Sequence, residues 1–365
     1  MPQLSVIVPT FNEIGNVVEL RDRVGRALEG IDWEMIFVDD DSPDGTADAV
    51  RAMAQADNRV HCIQRIGRRG LSTACIEGAL ASSAPMFAVI DADHQHDEQL
   101  LPRMFDALAA DAGLDVVVGS RYVESGGIGA WDESRAAFSR IATKLSRVVL
   151  KAELHDPMSG FFMMRREPFV ACLRAGVSGV GFKILLDLFA TSPRPLRHLE
   201  LPYQFRNRLA GESKLDTNVA WEYFIMLLDK FMGGVVPIRF IAFSLVGGLG
   251  LVVHLLVLTA LFKGAGTSFL WAQAAATMVA MTSNYVLNNV LTYRDLRLRG
   301  WRFVRGWFSF VLACSVGALA NVGIADYLFH RDGFWVTSAI AGVLVGAVWN
   351  YAVTAVYTWK TPKSA

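Results

Sequence analysis

"MFAVIDADHQHDEQLLP", residues 86–102, passes from apolar to acidic within a few positions. "MFAVI" is a short apolar run of the kind found in parallel strands buried on both faces. "DEQLLPRMFDALAA" (97–110) then resumes an apolar spacing of three and four, which predicts a helix. The acidic cluster therefore sits where a strand hands over to a helix. Ligands of open α/β sheets bind outside the carboxyl ends of the strands, so this cluster is a candidate site.

Working outward, "LSVIVPT" (4–10), "WEMIFVDD" (33–40), "VHCIQRI" (60–66) and "DVVVGSRY" (115–122) read as further strands. "IGNVVELRDRVGRAL" (14–28) and "LSTACIEGALASSA" (71–84) read as helices between them. This alternation predicts an α/β fold, a Rossmann-like and mostly parallel sheet with helices on both faces. No GxGxxG follows the first strand and no GxxxxGK[ST] occurs, so the familiar phosphate cradles are not expected. The strand ends are acidic instead: "PTFNE", "VDDDSPDGT" and "DADHQ", with "GSRY" after the fifth strand. Carboxylates alone repel a phosphate, which implies a divalent cation.

Asp91, Asp93 and Gln95 alternate, so an extended backbone would place them on one face. Oxygen ligands of this kind suit Mg²⁺ or Mn²⁺ completed by substrate phosphates. His94 and His96 would then point the other way. An H-x-H zinc site is the competing arrangement, with no third ligand at a recognisable spacing. Taken alone, D-x-D also suits a solvated acidic turn.

The 365 residues carry 35 basic and 35 acidic side chains, a balance that argues against a nucleic-acid binder. Four scattered cysteines form no CxxC pair, which fits reduced thiols. The N-terminus enters a strand pattern at once, so no signal peptide is expected and the front domain should stay cytoplasmic.

Beyond about residue 235 the composition changes. Four segments, about 240–262, 267–293, 307–327 and 334–359, have the length of a bilayer span, roughly 20 residues. Between the second and third lies "YRDLRLRGWRFVRGW" (293–307) with five arginines. The bias of Lys and Arg toward the cytoplasm puts this loop inside, and both termini with it. Residues 243–262 also align without gaps on 310–329, matching at Phe243/Phe310, Gly250/Gly317 and Phe262/Phe329. The following spans end alike, in "NYVLNNVLTY" (284–293) and "NYAVTAVYTW" (350–359). Two hairpins in the same orientation are expected, a parallel duplication. Asn284, Asn288, Asn321, Asn350 and His254 would face the bundle interior, as inter-helix hydrogen bonds or as the lining of a headgroup path.

The strand ends together with "DPMSGFF" (156–162) and "YQFRNRLAGESKL" (203–215) stand in the order found in polyisoprenyl-phosphate glycosyltransferases. The chain resembles, in particular, the dolichyl-phosphate mannose synthases among the inverting family-2 enzymes with the A-type fold. Its remainder is similar to the four-span GtrA-like membrane family. The resemblance implies a cytosolic catalytic domain (1–216), an interfacial helix and linker (217–234) and a transmembrane domain (235–365). It implies that Pro9, Phe11 and Glu13, with Val38 and Asp40, meet the base and ribose of a nucleotide-diphosphate sugar. Phe11 stands where the family usually has tyrosine. Asp91, Ala92, Asp93 and Gln95 would hold the metal and the diphosphate. Arg121, Arg208 and Lys214 would supply cationic contacts to phosphates.

The implied acceptor is a membrane polyisoprenyl phosphate. Arg140, Lys144 and Arg147 line one side of a basic amphipathic stretch (134–154) that would lie in the interface and meet it, with Ser213. An ordinary surface helix is the alternative. Inverting transfer from GDP-mannose is the expected activity. UDP-glucose as donor, or a glycolipid flippase with a regulatory front domain, are the alternatives. No QxxRW motif occurs, which sets aside a processive polymerase.

Overall fold

The computed structural model describes residues 1–123, 150, 153–179, 183–206, 236–332 and 335–359. The chain divides into two compact units, Met1–Phe231 and Met232–Ala365.

In the first unit, alternating buried residues build β1 (Leu4–Thr10), β2 (Trp33–Asp39), β3 (Val60–Gln64), β4 (Met86–Val89), β5 (Val116–Ser120), β6 (Phe162–Arg165) and β7 (His198–Pro202). They form one sheet in the order β3-β2-β1-β4-β6-β5-β7. The sheet is parallel except for β6, which runs antiparallel to both β4 and β5. Alternation sends Leu4, Val6, Val8, Met35 and Phe37 into the core on one face. Ile7, Ile36, Val38, Phe87 and Val89 enter the core on the other. Among the described residues the α-helices are α1 (Val17–Ala27), α2 (Thr46–Ala56), α3 (Leu71–Ala81), α4 (Leu101–Ala110), α5 (Arg166–Arg174) and α6 (Ile184–Thr191).

The chain order reverses between β1 and β4, so the crevice at a topological switch point opens at their carboxyl ends. Because β6 is antiparallel, its start arrives at that same edge. The turn 156–161 is thus delivered beside Asp91: a Cβ added to Gly160 would lie 3.3 Å from Asp91 Oδ2.

The second unit contains α7 (Ile238–Thr259), α8 (Phe269–Leu287), α9 (Trp301–Asp332) and α10 (Trp335–Tyr357), with π-helical turns closing α7 at Ala260–Gly264 and α8 at Asn288–Thr292. Among the described residues, Ile238–Gly264 and Trp301–Asn321 are long and apolar enough to cross a membrane on length and composition. The duplication is visible in the packing. Asn284 of α8 presses on Gly250 of α7, and Asn350 of α10 presses on Gly317 of α9. A Cβ at either glycine would fall 2.2 or 2.1 Å from the asparagine Oδ1. Close helix approach at small residues is how helices associate where lipid removes the hydrophobic drive. Asn288 is buried as expected, yet its hydrogen bonds stay within its own helix, to Asn284 O (3.0 Å) and from Thr292 Oγ1 (2.7 Å).

Candidate active site

The end of β4 is a turn rather than an extended strand. His94 has φ +61°, so the face-sharing expected of alternating Asp91, Asp93 and Gln95 does not hold. Asp93 is buried and its Oδ1 accepts Gln95 N–H (3.2 Å), closing the turn through a side chain. Gln95 Nε2 donates to Arg206 O (3.2 Å) and Arg206 N–H to Gln95 O (2.9 Å). Gln95 also carries an amide oxygen, an acceptor by its chemistry. Two carboxylates and an amide oxygen fit a hard divalent cation. Among the described residues, no three His, Cys, Asp or Glu side chains converge as a metal cage. Such a cation would need substrate oxygens to fill its shell.

The histidines do not turn away as a pair. His96 folds back beneath the turn, stacked on Phe161 (5.1 Å between centroids) with Tyr203 and Phe205 edge-on (5.9 Å each). Burial pushes its pKa down to about 4, so the ring is neutral at pH 7. Its Nδ1 accepts Asp91 N–H (3.2 Å), which puts the proton on Nε2, 3.7 Å from Asp91 Oδ2. His96 thus braces the backbone of Asp91 and lies close to its carboxylate. His94 is buried, and burial lowers its pKa as well.

Arg121, after β5, is almost fully buried and gripped by Asp156: Nε to Oδ2 and Nη2 to Oδ1 are both 2.7 Å, and its own N–H reaches Oδ2 at 3.0 Å. Burial opposes its charge, but Asp156 outweighs that and holds its pKa above the ordinary value. Asp156 N–H and His155 N–H bond Glu200 of β7 (3.0 and 2.9 Å), so three segments fix this guanidinium. Lys183, just before α6, donates to Met158 O (2.9 Å). Burial, then repulsion by Arg121, lowers its pKa to about 8, against the attraction of Asp91 and Asp156. Sequence reasoning missed Lys183. Its only signal is a lone cation in the apolar run "VGFKILLDLF" (180–189).

On the β1–β2 side, Asp40 pairs with Arg65 (3.2 Å) and accepts Gly70 N–H (2.7 Å). Burial raises its pKa despite these contacts. Glu13 accepts from Asn16 Nδ2 (2.7 Å), and its N–H bonds Thr46 Oγ1 (2.9 Å). Phe11 carries the Arg69 guanidinium 4.2 Å above its ring. Pro9 is half-buried in β1; Val38 and Ala92 are buried, so Val38 has only main chain to offer a ligand. Arg206 binds Asp97 (2.6 Å) and Glu98 (2.8 Å), which ties its own side chain to the residues that follow the acidic turn. Arg208, Ser213, Lys214, Arg140, Lys144 and Arg147, like the interfacial helix at 217–234, lie outside the described residues.

The family model "Glycosyl transferase family 2" matches residues 5–172, and "GtrA/DPMS, transmembrane domain" matches 242–359. A dolichol-phosphate mannosyltransferase from Pyrococcus furiosus is 32% identical over 363 residues, covering 98% of this chain and 100% of its own. The chain belongs to the dolichol-phosphate mannosyltransferase family. Two other relatives match about three fifths of the chain. The dolichol-phosphate mannosyltransferase of Saccharomyces cerevisiae is 33% identical over 63% of this chain and 87% of its own. The polyprenol monophosphomannose synthase of Mycolicibacterium smegmatis is 34% identical over 58% and 80%. As a member of this family the chain is a glycosyltransferase with a C-terminal membrane domain. The acidic turn, Arg121 and Asp156 fall within the family-2 match, whereas Lys183 and Arg206 fall beyond it.

Proposed function

We infer that this chain transfers a mannosyl group from GDP-mannose to a membrane polyisoprenyl phosphate with inversion, giving a β-linked lipid phosphate sugar. The observation that carries the reading is the acidic turn at the switch point, with Arg121 held rigidly at the end of β5. A bound Mg²⁺ or Mn²⁺, held by Asp91, Asp93 and Gln95, would offset charge growing on the leaving nucleoside diphosphate. The acceptor phosphate is already an anion at neutral pH and needs no strong general base. Its barrier is the meeting of two anions, which Arg121 and Lys183 lower as cations, with Arg208 and Lys214 as further positive charges. Pro9, Phe11, Glu13 and Asp40 line the β1–β2 end where base and ribose would lie. The membrane domain spans four times, with both termini and the catalytic domain cytoplasmic, and the basic stretch at 134–154 meets the interface beside the acceptor.

The test is sugar transfer by the purified full chain to a polyisoprenyl phosphate with Mg²⁺ or Mn²⁺, comparing GDP-mannose with UDP-glucose. Metal-dependent transfer from GDP-mannose, with a β linkage by NMR, is expected. Transfer only from UDP-glucose overturns the sugar, and an α linkage overturns the single displacement.

A further inference from the structure

The loop joining α8 to α9 carries chemistry that sugar transfer does not use. A groove of about 590 Å³ opens there, lined by Val286, Val290, Leu298 and Phe303 on its apolar side and by Arg297 and Arg299 on its polar side. Both arginines are exposed, and neither makes an ion pair with any described residue. They are nevertheless held on a fixed backbone. Asn289 clamps Leu298 from both sides, its Nδ2 donating to Leu298 O (3.1 Å) and its Oδ1 accepting Leu298 N–H (2.8 Å). The same Oδ1 accepts the indole N–H of Trp359 (3.1 Å), which ties the clamp to the aromatic core of the domain. Tyr285 secures the far side of the groove, its hydroxyl donating to Phe303 O (2.6 Å). Arg297 and Arg299 flank the part-buried Leu298 in the chain.

We propose that this groove binds the headgroup of an anionic phospholipid, with the first part of an acyl chain along Val286, Val290 and Phe303. Guanidinium forks match phosphate oxygens, and the adjoining apolar wall suits the chain that a phosphate headgroup carries. Trp301, beside Gly300, is 79% exposed, as an aromatic anchor at headgroup level is. Basic pockets between membrane helices on the cytoplasmic side are known headgroup sites. Orientation by charge alone accounts for arginines in this loop, since it needs only their number. It does not account for a doubly clamped backbone or for an apolar groove between them. The assignment holds only if this loop faces the cytoplasmic leaflet, as proposed above; lipid retention is therefore read without sugar transfer, so that the two readings fail separately.

The experiment is native mass spectrometry of the full-length protein from vesicles of phosphatidylcholine with phosphatidylglycerol, paired with thermal unfolding in each lipid. Wild type should retain phosphatidylglycerol and unfold at a higher temperature when it is present. The variant Arg297→Gln/Arg299→Gln should retain it about thirtyfold more weakly, roughly a factor of five per arginine. It should lose the thermal shift while unfolding like wild type in pure phosphatidylcholine. Arg302→Gln/Arg305→Gln removes the same charge outside the groove lining and should retain lipid normally. Equal loss in both variants would mean a diffuse basic surface and overturn the site. Displacement by free glycerol 3-phosphate at matched concentration would overturn the lipid assignment, and preferential displacement by polyisoprenyl phosphate would reassign the groove to the acceptor.

Discussion

Tyr293 and Trp359 stack face to face, ring centroids 4.2 Å apart and planes 4° from parallel, although they close equivalent segments of the two repeat halves. The neighbouring contacts are reciprocal. Phe243 of the first half meets Tyr351 of the second at 5.8 Å, and Phe310 of the second meets Tyr285 of the first at 5.6 Å. Contact between like positions, and swapped contact between unlike ones, is what a two-fold axis produces. The two hairpins therefore pair much as the subunits of a symmetric dimer do.

A double-mutant cycle on Tyr293→Ala and Trp359→Ala should show a coupling of about 0.5–1.5 kcal/mol beyond lost area. Denaturant unfolding in detergent is the measurement. Strictly additive losses would mean that the stack is incidental to the pairing.

Gly250 and Gly317 should each reject a larger residue, because Asn284 and Asn350 occupy the space a Cβ would need. Gly250→Val and Gly317→Val are expected to cost about 1–3 kcal/mol each. Adding Asn284→Ala to the first and Asn350→Ala to the second should recover part of the loss, as read by thermal unfolding.

Asp156→Asn leaves the Arg121 guanidinium buried without its counter-charge. Stability should fall by about 3–5 kcal/mol, as for other broken buried pairs, and transfer should fall with it. Arg121→Lys keeps the charge but loses the fork, so its transfer rate should drop without recovery at high donor concentration.

Asp115 accepts both Arg194 Nη1 and Nη2 (2.6 and 2.7 Å) and Arg197 N–H (2.8 Å). Burial favours its neutral form, but these bonds outweigh it and leave the pKa below the ordinary value. A depressed carboxylate adds stability above its unfolded pKa, near 4, and loses it as pH falls through the folded value. Asp115→Asn should therefore be less stable at pH 7 and show a flatter acid limb in a series of melts between pH 7 and pH 2.

If Asp91, Asp93 and Gln95 hold a cation that substrate oxygens must complete, Mn²⁺ alone should bind weakly and GDP should tighten it by at least about tenfold. Calorimetry with and without GDP measures this, and Asp93→Asn should remove the enhancement. Equal Mn²⁺ affinity in both titrations would mean a self-sufficient metal cage.

His96 shows how far local reasoning reaches. A histidine three places after Asp93 is visible to anyone reading the chain, but its partner was not. A positive φ at His94 turns it beneath Asp91 and onto Phe161, more than sixty positions away in sequence. Asp156 stood in a recognisable motif, while its grip on Arg121 depends on the antiparallel β6, whose four residues give too short a pattern to read.

The sequence by itself determined the five strands from β1 to β5, the acidic ends of β1, β2 and β4, the duplicated apolar helices and the basic loop between their halves. These are properties of short stretches, where period and composition report which side meets water or lipid. Only the tertiary structure decided which groups meet: Arg121 with Asp156, Lys183 with Met158, Asn284 with Gly250, Tyr293 with Trp359. Those pairings join segments far apart in the chain, and their geometry is set by sheet order, strand direction and helix crossing, which no local pattern encodes.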